Sequence, residues 1–98
     1  MEVEFSDPAL QRLESDPAFT AGFDGAIVKV YRKRMQLIRA AVDERTFYAM
    51  TSLHYKKLQG DRDGQRSMRL NDQWRLILTL KTDETGKVVV IIAIEDYH

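Results

Sequence analysis

Between Tyr55 and Arg75 the chain carries Lys56, Lys57, Arg62, Arg66, Arg69 and Arg75 against Asp61, Asp63 and Asp72, a local net charge of +3. Clustered guanidinium groups can clamp a phosphate through paired hydrogen bonds and stabilise charge that develops during phosphoryl transfer. Arg69 and Arg75 bracket a tight reversal at Asn71-Asp72, so adjacent strands could carry them to one surface. Ordinary salt bridging with Asp61, Asp63, Asp72 or Glu95 is the competing reading of the same residues. Two histidines add imidazoles, side chains suited to proton transfer. His54 stands beside Tyr55 at the entry to the basic segment, and structural and catalytic roles are equally open for it. His98 follows Glu95-Asp96-Tyr97. A terminal histidine is more often a frayed surface group, but a strand before it could anchor it beside the arginines. Tyr97 could stack on an extruded RNA base or simply cap a sheet.

Other chemistries are excluded or unsupported. Cysteine is absent, which removes disulfides, thiolate metal sites and thiol nucleophiles. No metal-binding spacing appears, and no cofactor is expected. Gly60 and Gly64 flank Asp61-Arg62-Asp63 with no Lys-Ser or Lys-Thr following, so they read as turn glycines rather than a nucleotide loop. Ser67 has no triad signature around it. Fifteen basic residues balance fifteen acidic ones, so bulk attraction to nucleic acid is ruled out and only a focused site remains possible. The longest apolar run, Val88 to Ile94, is far too short to span a membrane as a helix. No apolar secretory segment follows Met1, so a cytoplasmic location is expected.

The elements that must position these groups can be read from periodicity. The 98 residues allow one domain, 1–98, and a 44% hydrophobic, 31% charged mixture is globular rather than disordered. Val3 to Phe5 predict a short strand. Ser6 or Asp7 would cap a helix through about Ser15, with Pro8 in its first turn and Leu10 and Leu13 inward. Pro17, Gly22 and Gly25 mark a loop, with room for one helical turn near Ala18. Ile27, Val30, Tyr31, Arg34, Leu37, Ile38, Ala41 and Val42 recur at helical intervals and predict a helix over about 24–42. Lys29, Arg32, Lys33 and Arg39 fall on its other faces. A shorter helix over 44–50 would turn Phe47 and Met50 inward.

The period then changes. Arg66 to Leu70, Trp74 to Leu80 and Lys87 to Ile94 predict three strands, with reversals at Asn71-Asp72 and Asp83–Gly86. Alternation sets Met68 and Leu70 against Ser67 and Arg69, and Trp74, Leu76, Leu78 and Leu80 against Arg75. The expected architecture is α+β, with N-terminal helices packed on one face of a small C-terminal antiparallel sheet. The other face is left for a site.

The segment from Leu58 to Leu76, with the terminal Glu95-Asp96-Tyr97-His98, resembles HigB-type toxins of the RelE/ParE toxin–antitoxin superfamily. The resemblance rests on G-D-R-x-G at Gly60–Gly64, S-x-R-x-N-x-x-W-R at Ser67–Arg75, and the final E-D-Y-H. It implies a RelE-like, microbial-RNase-type α+β fold and a ribosome-dependent endoribonuclease that cuts mRNA and so inhibits translation. It also implies a helix-turn-helix antitoxin of the HigA type, the ribosome and mRNA as partners, and operator DNA contacted only through the antitoxin. On the family pattern Arg75 would hold the scissile phosphate, with Arg69 beside it and Arg62 near the RNA-facing loop. Tyr97 and His98 match residues implicated in base stacking and acid–base work. Two positions depart from the pattern: Gln59 stands where many members have Lys, and Lys56 where many have His. His54, Lys56 or Lys57 could compensate, with Lys56 and Arg66 also available to RNA. Two alternatives are a ParE-like gyrase inhibitor and a non-catalytic protein-binding module.

Overall fold

The computed structural model describes residues 1–96. Its elements in chain order are β1 (Glu2–Phe5), α1 (Pro8–Ser15), α2 (Gly25–Ala40), α3 (Arg45–Ala49), β2 (Lys56–Lys57), β3 (Gln65–Arg69), β4 (Trp74–Asp83) and β5 (Gly86–Asp96). Short 3₁₀ turns at Thr51–Leu53 and Gly60–Arg62 flank β2.

Local chemistry explains the helix starts. Asp7 is the cap of α1, its Oδ1 accepting from the Ala9 N–H at 2.9 Å, and Pro8 occupies the first turn, where no donor is needed. Ser6 instead donates to the carbonyls of Ile91 and Ile92, tying the end of β1 to β5. Asp24 caps α2 in the same way through Ala26. The chain between these helices forms turns, without a helical turn at Ala18.

One stripe of α2, formed by Val28, Tyr31, Met35 and Ile38, is buried in the same core as Met68, Leu70, Leu76, Leu78, Val89 and Ile91 of the sheet segment. Burying each such aliphatic side chain contributes about 1.5–3 kcal/mol, so this face holds the layers together. Leu10 and Leu13 of α1 complete the core, and the Tyr31 hydroxyl donates to the Leu10 carbonyl at 2.8 Å. Helix α2 stops at Ala40, which leaves Val42 87% exposed rather than inward. Met50 likewise lies beyond the end of α3 and is exposed, while Phe47 is fully buried.

The sheet order is β1-β5-β4-β3-β2. The expected antiparallel β3–β4–β5 meander is present, and two strands extend it. Lys56–Lys57 pairs antiparallel to β3, and β1 pairs parallel to β5 through Glu2↔Val88 to Phe5↔Ile91. A parallel neighbour needs a long connection, which the helices supply. The β4–β5 reversal is tight: Asp83 pairs with Gly86, the Asp83 carboxylate accepts from the Thr85 N–H and hydroxyl, and Gly86 takes φ +121°.

One irregularity matters for the site. Ile77 pairs with Ala93 but Leu78 pairs with Ile91, so Ile92 is an additional residue in β5. Strict alternation would put Glu95 on the face of Ile91, in the core. The bulge exchanges the faces, so that Val89 and Ile91 face the helices while Ala93 and Glu95 face the other side.

Candidate active site

Strand register places Lys56 opposite Ser67 and Ser67 opposite Ile77, while Arg75 lies between Arg69 and Glu95. Residues in register share a face, and this one points away from α2. A concavity of about 200 Å³, open to solvent, forms there. Lys56, Arg62 and Arg75 bring positive charge to it, Glu95 and Asp96 negative charge, and Leu58 and Ile77 an apolar surface.

Each charged group is held. Arg75 Nη1 lies 3.4 Å from the hydroxyl of Ser67, a fully buried polar residue whose oxygen accepts the bond. Arg62 reaches the concavity from the Gly60–Gly64 loop, where Gly60 and Gly64 adopt φ +70° and +91° and let the chain double back. Its Nη1 and Nη2 donate to the two Glu95 carboxylate oxygens at 2.8 and 2.6 Å, and its Nε donates to Gln65 at 3.0 Å. The hydrogen bond to Glu95 holds the Arg62 guanidinium above its usual pKa. Arg69 sits on the same face, next to Arg75 across the strands, and its guanidinium is ion-paired with Asp72. Behind it, Arg34 Nε donates to the Arg69 carbonyl at 3.3 Å, so α2 braces the end of β3. Burial and then the charge of Arg69 lower the Arg34 pKa.

The structure therefore brings together Arg75, Arg69, Arg62 and Lys56. It separates three other candidates. Arg66 is in register with Leu78 on the helix side; its Nε donates to Glu44 at 3.0 Å, and Glu44 also accepts from the Tyr55 hydroxyl at 2.7 Å. Burial pushes the Glu44 carboxyl up, but hydrogen bonds from Tyr55 and Arg66 outweigh it and leave the group below its ordinary value. Lys57 is exposed on the strand face opposite Lys56. His54 ends the Thr51–Leu53 turn in a left-handed conformation, φ +46°, exposed and outside the residues that line the concavity. Tyr97 and His98 lie outside the described residues. Leu58, Ile77 and Asp96 join the site without having been singled out for it. Glu95 and Asp72 pair with Arg62 and Arg69, as the salt-bridge reading of these residues allows, and it is the β5 bulge that brings Glu95 to this face. Among the described residues, no group of three or more His, Asp or Glu is arranged to hold a metal ion. Nor does any described helix have the length and apolarity to cross a membrane.

No protein-family model and no curated protein sequence matches the chain. Solved structures do match it over nearly their whole length. A YoeB/ParE toxin from Agrobacterium tumefaciens superposes with a TM-score of 0.61 at 16% identity, covering 100% of both chains. The chain has the RelE-like α+β fold. YafQ from E. coli gives 0.60 at 16% identity over 98% of this chain and 92% of its own. YoeB in the YoeB–YefM complex from Staphylococcus aureus gives 0.57 at 20% identity over 100% and 97%. At these identities the likeness is one of fold. Within the RelE-like fold, the concavity around Arg75 occupies the sheet face left open by the helices.

Proposed function

We propose that this chain is the toxin of a toxin–antitoxin pair and acts as a metal-independent, ribosome-dependent mRNA endoribonuclease of the HigB type. The observation that carries the proposal is Arg75 beside Lys56 and Arg62 in an open concavity with an apolar surface at Ile77 and Leu58. Such a site suits a phosphodiester with a base packed next to it. In the proposed reaction the ribose 2′-OH attacks the adjacent phosphorus and the bond to the 5′ oxygen breaks. The products are a 2′,3′-cyclic phosphate and a free 5′-OH. Arg75, with Arg69 nearby, neutralises charge on the phosphorane-like oxygens. One proton leaves the 2′-OH and one reaches the 5′ oxygen. His98 is assigned that work and Tyr97 the stacking of a base, both from their place in the terminal motif. His54 and Lys57 stand off the concavity and would have to move to assist.

The partners are a helix-turn-helix antitoxin of the HigA type and the ribosome with its mRNA, in the cytoplasm; operator DNA would be met only through the antitoxin. The fold likeness to toxins, one of them in a YoeB–YefM complex, supports this reading. Purified protein is added to translating ribosomes and mRNA ends are mapped for wild type, Arg75→Ala and a variant lacking His98. Cleavage by wild type, lost in Arg75→Ala and strongly reduced without His98, is expected. Absence of cleavage together with inhibition of gyrase supercoiling would overturn the proposal in favour of a ParE-like activity.

A further inference from the structure

We propose that Glu95 is a built-in anionic latch that occupies Arg62 until a substrate phosphate displaces it. The inference rests on the phosphate-binding reading of the concavity and names how that site is regulated. A carboxylate that accepts both forks of a guanidinium presents two oxygens in the geometry that a phosphodiester also offers. Glu95 holds Arg62 in this way, at 2.8 and 2.6 Å, and it is the cross-strand neighbour of Arg75. It thus sets a negative charge between two arginines, where the proposed substrate would bring its own. Both partners keep about two-fifths of their side-chain surface exposed, 41% and 39%, so an incoming anion can reach the pair. The β5 bulge points to the same conclusion: without the additional Ile92, Glu95 would face the core and could not reach the loop.

The arrangement has a consequence for free RNA. A phosphate that takes Arg62 must break an existing two-pronged ion pair, so part of the gain on binding is lost. A partner that orients the RNA, or itself contacts Glu95, lowers that barrier. The latch therefore predicts weak binding of unassisted RNA as a property of named residues.

The experiment measures binding of a short, fluorescently labelled single-stranded oligonucleotide with 2′-O-methyl sugars, which cannot be cleaved. Wild type, Glu95→Gln, Arg62→Ala and the double variant form a cycle. Glu95→Gln is expected to bind roughly tenfold more tightly than wild type, and the gain is expected to vanish in the Arg62→Ala background. Glu95→Ala, which removes the acceptor, repeats the comparison, and thermal unfolding verifies that each variant is folded. An equal gain with and without Arg62 would reveal a simple charge effect and overturn the latch. So would unchanged or weaker binding by both Glu95 variants. If Arg75→Ala loses binding while the Glu95 variants match wild type, the latch fails and the site assignment stands.

Discussion

In the proposed reaction Arg75 is the residue on which the chemistry turns, and its surroundings decide which replacements can work. Its Nη1 lies 3.4 Å from the buried Ser67 hydroxyl, which supports the guanidinium from beneath. A planar fork can contact two phosphate oxygens at once, whereas lysine offers a compact point charge on a flexible stem. Arg75→Ala is expected to lower ribosome-dependent cleavage by about 100- to 1,000-fold, the range for removing one preorganised donor to a developing anion. Arg75→Lys should retain part of the charge but not the fork, losing roughly tenfold or more. Rates of mRNA cleavage under single-turnover conditions measure both. Equal activity of the lysine variant and wild type would mean that charge alone suffices.

The elements around the site are set by caps, a buried network and a bulge. Asp24 caps the long α2, and Asp24→Ala should cost about 1 kcal/mol, read as a lower urea midpoint with an unchanged slope. Glu44 joins the loop before α3 to Tyr55 and to Arg66 of β3. Its carboxyl is held below the ordinary value, so folding gains from its ionised form. That contribution is complete above the unfolded carboxylate pKa and is lost as pH falls through the lower folded value. Glu44→Gln should therefore be less stable than wild type at neutral pH, and the difference should shrink toward about pH 3, as measured by chemical unfolding across pH. Much of this level was legible in the sequence. The spacing of Tyr31 and Ile38 marked α2, and alternation put Ser67, Arg69 and Arg75 on one face. Three features were not. The two-residue β2 is too short to show a period, and the parallel docking of Glu2–Phe5 on β5 is a long-range choice that no local pattern records. The β5 bulge hid the face on which Glu95 lies, because a run of apolar residues from Val88 to Ile94 does not reveal the position where one residue is skipped. Sequence proximity groups Arg66 with the site arginines, yet a period of two sends it to the opposite face, where Glu44 receives it.

For the whole molecule, size and charge balance together favour a locally guided substrate. The fold measures 33 × 29 × 26 Å, and its concavity is open on one side, so the protein does not enclose a strand of RNA. Fifteen basic residues against fifteen acidic ones leave no long-range field to gather a polyanion, and attraction must come from the few cations at the site. Lys56, Arg62 and Arg75 line it, with Arg62 engaged by Glu95. Single-stranded RNA releases about 0.7 counterions for each phosphate neutralised, so two to three contacts predict a log–log salt slope of roughly −1.5 to −2. Binding of an uncleavable oligoribonucleotide, measured over a range of potassium chloride concentrations, should give this shallow slope. Glu95→Gln should tighten binding while keeping the slope in this range, because Arg62 meets phosphate in both complexes once Glu95 is displaced. A wild-type slope beyond about −4 would require more phosphate contacts than the concavity holds and would move the RNA-binding surface elsewhere, for example onto the exposed Lys29 and Lys33 of α2.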